Sequence, residues 1–152
     1  MELPKRKPTR LQNYDYSQQN LYFVTICTSG KKCLFGNVGA LNEYGKIAEK
    51  CLKEISAVYK DVCVDQFVVM PNHVHALITI ENSVSLSQVV GQYKMSVTKA
   101  IHRYDKKLTV WQRSFYDHVV RNQEDYQRIW TYIVGNPQSW YQDNLYVEEA
   151  EY

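Results

Sequence analysis

With 152 residues, 17.9 kDa and 45% apolar side chains, the chain has the size expected of one domain and enough apolar content for a real core. No apolar run approaches the roughly 18 residues a membrane span needs, and Cys27, Cys33, Cys51 and Cys63 form neither a C-x-x-C pair nor a zinc pattern, so buried thiols in a reducing cytoplasm are expected. The net charge is only +2 but unevenly spread, a distribution that suits a nucleic-acid face as well as a solvated helix surface.

Residues 1–20 read as a basic, then polar arm. Lys5, Arg6, Lys7 and Arg10 are set against Glu2 alone within residues 1–13, and Pro4 and Pro8 exclude early helix. Leu21 to Thr28 is rich in β-branched and aromatic residues and predicts a strand. Ser29-Gly30-Lys31-Lys32 turns the chain, and Gly36 and Gly39 predict an irregular stretch after it. From Asn42, a plausible N-cap, the period changes to three and four: Tyr44, Ile47, Ala48, Cys51, Leu52, Ile55, Val58 and Tyr59 form one stripe of a helix.

Val62–Met70 and His73–Ile80 predict two strands joined by Pro71-Asn72, a link that allows only an antiparallel hairpin. On the second of them Val74, Ala76, Ile78 and Ile80 share one face, expected to carry packed helices. His73, His75, Leu77 and Thr79 share the other, expected to line a site. Ser85-Leu86-Ser87-Gln88 is a capping-box pattern that opens a second helix with a stripe from Leu86 to Tyr104. Residues 84–113 carry Lys94, Lys99, Arg103, Lys106, Lys107 and Arg113 against Asp105 alone; together with Arg121 and the N-terminal arm they are candidate DNA contacts, to phosphate rather than bases. A fourth strand is expected near Phe115–Val120. Asn122 can cap a third helix with Tyr126, Ile129, Trp130, Ile133 and Val134 as its core stripe, and Pro137 should end it.

The order strand, helix, strand, strand, helix, strand, helix implies an α+β fold. It is a ferredoxin-like β-α-β-β-α-β sandwich on an antiparallel sheet, with an extra C-terminal helix left to cover the histidine face. Residues 1–20 would be the arm, 21–120 the core, 121–138 the last helix and 139–152 an acidic tail with Asp143, Glu148, Glu149 and Glu151.

Imidazoles at i and i+2 on a strand point the same way and can grip one divalent ion, but two ligands do not fix it. Asp125, Tyr132 and Asn136 fall on one side of the last helix, so Asn136 could offer its carbonyl oxygen as a third ligand with Tyr132 one turn back. A phenol is a poor nucleophile at neutral pH, yet it serves where a metal polarises a phosphodiester and a ribose 3′-oxygen leaves. Asp117 and His118, on the fourth strand, are candidates to orient a ligand.

Several stretches carry a resemblance. Arg10-Leu11-Gln12-Asn13-Tyr14-Asp15-Tyr16, Tyr22–Thr28, Leu41–Gly45, Phe67–His75 with Met70-Pro71-Asn72-His73-Val74-His75, Trp111–His118 and Tyr132-Ile133-Val134-Gly135-Asn136-Pro137 resemble, in order, the single-tyrosine HUH transposases of the REP-associated branch. The resemblance implies His73 and His75 as metal ligands, Asn136 as a third, Mg²⁺ or Mn²⁺ as the ion and Tyr132 as the nucleophile. It implies a single-stranded DNA substrate bearing a hairpin, and a 5′-phosphotyrosine intermediate with a free 3′-OH. It also implies a bacterial cytoplasmic, nucleoid-associated protein with no membrane partner, acting as a monomer or a homodimer. One departure from the pattern is Gly91-Gln92-Tyr93-Lys94-Met95-Ser96, where Phe-Lys-Ser is expected. The rival readings are a hairpin-binding protein that does not cut, for which His73, His75, Tyr132 and Asn136 have no use, and a water-using phosphoesterase, for which Tyr132 has none.

Overall fold

The computed structural model describes residues 20–81, 84–142 and 145. Strand β1 (Leu21–Cys27) leads through a 3-10 turn at Ser29–Lys31 to a short ribbon, β2 (Gly36–Asn37) and β3 (Ala40–Leu41). Helix α1 (Glu43–Lys53) and the single turn α2 (Ile55–Val58) follow, then the hairpin β4 (Val62–Met70) and β5 (His73–Ile80). Helix α3 (Leu86–Ile101), edge strand β6 (Tyr116–Val119) and helix α4 (Gln123–Gly135) complete the core, and α4 runs on into a 3-10 segment at Asn136–Gln142.

The four long strands form one antiparallel sheet in the order β4-β5-β1-β6, the order of the expected ferredoxin-like unit. Its register sets Val68 beside His75, His75 beside Thr25 and Thr25 beside Tyr116, with Phe23 flanked by Leu77 and His118 in the next row. Strand alternation then separates two cores. On one face Val24, Ile26, Val74, Ala76, Ile78 and Ile80 pack under α1 and α3 with Leu52, Val90, Tyr93 and Val97. On the other, Leu21, Leu77 and Val120 pack under Tyr126, Ile129, Trp130 and Ile133 of α4. Burying each such aliphatic side chain stabilises the fold by about 1.5–3 kcal/mol relative to exposure.

The caps are those expected. Asn42 Oδ1 accepts from the Gly45 amide at 2.9 Å, Ser85 and Gln88 close a reciprocal capping box, and Asn122 Oδ1 accepts from the Asp125 amide at 2.8 Å. Three boundaries differ from expectation. The stripe from Asn42 to Tyr59 is interrupted at Glu54, whose ψ of −5° leaves the helical path while Ile55 stays buried beyond the break. The stretch after Lys32 is a ribbon rather than irregular coil. Gly36 makes this possible: at φ +104° a Cβ there would meet the Asn42 amide nitrogen at 2.6 Å. Pro137 ends the α-helical bonding but not the helical path, because Asn136 keeps φ −59° and ψ −42°. The clash of a proline ring with the residue before it is modest, and burial of Asn136 and Trp140 outweighs it. The arm at 1–19 and the acidic residues Asp143, Glu148, Glu149 and Glu151 lie outside the described residues. No helix among the described residues is long and apolar enough to cross a membrane.

Candidate active site

The two histidines of β5 are side by side under α4, with ring centroids 4.6 Å apart. His73 is 0% exposed and His75 3%. Each ring is oriented through Nδ1. His73 Nδ1 lies 2.7 Å from Asn72 Oδ1, and the amide nitrogen of Asn72 donates to the carbonyls of Lys31 at 3.2 Å and Leu145 at 2.8 Å. Those two bonds set which end of the Asn72 amide is oxygen. His73 must therefore donate from Nδ1, which leaves Nε2 with its lone pair. His75 Nδ1 lies 2.9 Å from Thr25 Oγ1, its neighbour across the sheet.

Burial holds His75 well below the usual imidazole range, and the charge of His73 pushes the same way against a hydrogen bond to the Val24 carbonyl. The neutral imidazole is the form that binds metal. His75 Nε2 is buried and meets no hydrogen-bond partner among the described residues, an arrangement that a metal ligand explains.

Tyr132 of α4 brings its ring against His75, centroids 5.4 Å apart, and edge-on to Phe23 at 6.1 Å. It is 45% exposed and lines a cleft. Trp140 sits over His73 at 6.0 Å, and Asn136 lies between Tyr132 and Trp140 in the chain with its Oδ1 buried. β5 and the end of α4 thus gather His73, His75, Tyr132 and Trp140, and Asn136 is buried on the helical path between the last two. Among the described residues no group of three or more His, Cys, Asp or Glu is placed to hold a metal; the donors here are two imidazoles and one amide oxygen, a set that fits a divalent ion needing further oxygen ligands.

A cleft of about 650 Å³ opens beside these rings, lined by Phe23, Thr25, Lys31, His118, Arg128 and Tyr132 among others. His118 faces it, and its Nε2 contacts Asp125 Oδ2 at 2.7 Å. Asp117, one residue earlier on the strand, pairs with Val24 and so falls on the opposite face of the sheet, away from the histidines.

The basic candidates are not gathered at the cleft. Lys94, Lys99 and Arg103 belong to α3 and the turn after it, on the far side of the sheet, and Lys94 Nζ donates to the carbonyls of Gln112 at 2.9 Å and Ser114 at 2.7 Å. Burial lowers the Lys94 ammonium somewhat, against the influence of Cys27. Arg113 and Arg121 are exposed in the loops flanking β6, while Lys5, Arg6, Lys7 and Arg10 lie outside the described residues. The cations that do line the cleft, Lys31 and Arg128, went unread in the sequence, as did the exposed ring of Tyr116 and the orienting roles of Asn72 and Thr25. Only Arg128 left a local signal, one turn before Tyr132 on the same helix.

A family model described as "Transposase IS200 like" matches residues 15–136. An uncharacterized protein of Haemophilus influenzae is 32% identical over 169 aligned residues, covering 94% of this chain and 94% of that protein. A second protein of the same organism, named "Putative REP-associated tyrosine transposase", is 23% identical over 84% of this chain and 76% of its own length. The fold is also that of a REP-associated tyrosine transposase whose structure was solved bound to a REP hairpin. That likeness has a TM-score of 0.65 at 21% identity over 80% of this chain and 68% of the other.

Proposed function

This chain belongs to the IS200-like transposase family, and from that premise we propose that it cuts and rejoins single-stranded DNA beside a hairpin through a covalent bond to Tyr132. The observation that carries the reading is the contact of the Tyr132 ring with His75, at the open end of a buried pair of imidazoles. The structural neighbour solved with a REP hairpin supports a hairpin as the DNA partner.

His73, His75 and Asn136 would hold a divalent cation, Mg²⁺ or Mn²⁺, which when bound supplies Lewis acidity to a phosphate oxygen and offsets its developing charge. The chain's own part is positional. Thr25 and Asn72 fix the two rings, and Phe23 and His75 wall the Tyr132 ring on two sides, so the phenol approaches the strand along a restricted path. The Tyr132 oxygen attacks phosphorus and gives up its proton to solvent. The bond from phosphorus to the 3′-oxygen breaks, that oxygen takes up a proton, and the phosphate stays on the 5′ end of the downstream strand as a tyrosine ester. A second 3′-OH attacks the ester, reforms a phosphodiester and returns the phenol. Neither ATP nor water as nucleophile is required, because one phosphate ester is exchanged for another.

A 3′-labelled oligonucleotide with a hairpin and a single-stranded flank, incubated with Mg²⁺ or Mn²⁺ and run on a denaturing gel, tests this. The expected result is a labelled protein adduct that Tyr132→Phe abolishes. Retardation on a native gel with no adduct would make the protein a hairpin binder, and cleavage that survives Tyr132→Phe would make it a hydrolase.

A further inference from the structure

Arg128 is a cation of the cleft, and its position is prescribed by two other side chains. Asp125, Arg128 and Tyr132 follow each other at three and four residues on α4, which sets them along one side of the helix. The Asp125 side chain is 11% exposed and accepts from both His118 Nε2 and the Arg128 guanidinium. His118 comes from β6, opposite Phe23, the residue whose ring meets Tyr132. Asp125 is therefore a fixed point between the edge strand and the tyrosine helix. Burial would raise its carboxyl, but the hydrogen bond and charge of His118 and the charge of Arg128 outweigh this and hold it below the usual range.

A guanidinium has five N–H donors in a planar fork. One donor of Arg128, Nη2, is taken by Asp125, while the side chain as a whole is 71% exposed along the cleft, which leaves other N–H donors of the fork open to a ligand. The neighbouring carboxylate offsets much of its charge. What remains is a donor pair of fixed direction, one helical turn from the nucleophile and shaped for two oxygens of one phosphate. The ammonium of Lys31 lacks that planar geometry, and the cations of α3 lie behind the sheet.

We propose that Arg128 grips a backbone phosphate flanking the scissile one, and that Asp125 and His118 are positioning residues that aim it. The proposal rests on the strand-transfer reading for which phosphate is meant, but its test does not need transfer to occur. Binding is measured by fluorescence anisotropy in a Tyr132→Phe background, with a labelled hairpin oligonucleotide carrying a single-stranded flank. Arg128→Gln is expected to weaken binding about tenfold and to reduce the slope of log affinity against log salt by roughly 0.7, the value of one single-strand phosphate contact.

The decisive readout is a scan in which single phosphates of the flank are replaced by neutral methylphosphonate. One position should cost about tenfold with Arg128 present and about twofold or less in Arg128→Gln, because the two changes remove the same contact. Asp125→Asn should blur that position-specific penalty while leaving part of the affinity. Arg128→Gln must still weaken binding in an Asp125→Asn background, where no exposed carboxylate repels the strand. Equal affinity with and without Arg128, or a penalty spread evenly over every phosphate in both proteins, overturns the proposal. A wild-type protein that forms no adduct yet keeps the Arg128-dependent position would sink strand transfer and leave this contact standing.

Discussion

Asn72 accepts from His73 with its oxygen and donates to Lys31 and Leu145 with its nitrogen, while its own carbonyl accepts from the Thr28 amide at 2.9 Å and from Thr28 Oγ1 at 3.1 Å. One buried amide thereby sets the tautomer of the His73 ring and ties two distant chain segments, the turn at Thr28 to Lys31 and Leu145, to it. Asn72→Ala is expected to lower Mn²⁺ affinity 10–100-fold by titration calorimetry, since an unanchored ring can rotate or change tautomer. A loss of about 1–3 kcal/mol in stability should accompany it, from the carbonyls left without a donor. Unchanged affinity would show that His73 is held by its packing instead. In the sequence Asn72 is legible only as a turn residue after Pro71. Its action on His73 depends on two carbonyls that are distant along the chain, and no local pattern encodes them.

At the scale of elements, α4 carries both Tyr132 and Arg128 of the cleft. Its N-terminus is held by the Asn122 cap, and its apolar stripe of Tyr126, Ile129, Trp130 and Ile133 packs on Leu21, Leu77 and Val120. Removing the cap by Asn122→Ala should lower stability by about 1 kcal/mol, read as a shift of the urea midpoint with unchanged slope. The cap, the stripe and the place of Tyr132 on the helix are all readable from the order of residues, because capping and period are local properties. The continuation through Pro137 is not. Proline predicts a stop, and only the burial of Asn136 and Trp140 against the histidine side of the sheet keeps the chain helical there. The break at Glu54 is the converse case, a periodic stripe that tertiary geometry interrupts.

For the whole molecule, the two cores meet through one sheet, and the Tyr93 hydroxyl fastens the larger one by donating to the Ala48 carbonyl of α1 at 3.0 Å. Burial raises this phenol well above its usual range, and Cys51 adds to the rise. The folded protein thus keeps a proton that the unfolded chain releases near pH ~10. Its contribution to stability is complete below that pH and is lost as pH climbs toward the folded value. Tyr93→Phe should therefore cost about 1 kcal/mol at neutral pH and show a shallower fall in urea midpoint above pH ~10 than the parent; an identical alkaline limb would mean that other groups govern it. At this same scale the division between sequence and structure becomes clear. The residue order alone determined the order of the sheet strands and main helices, the face of β5 that bears His73 and His75, and the helix that carries Tyr132, because side-chain direction follows from backbone period. Which cations reach the cleft, how Asn72 and Thr25 aim the rings, and why His118, Asp125 and Arg128 meet were decided only when α4 docked across the sheet. Asp125 and Arg128 are near neighbours on one helix, but Thr25 and His75, and Asn72 with Lys31 and Leu145, are far apart in the chain, and the burial that brings such residues together is a property of the assembled core.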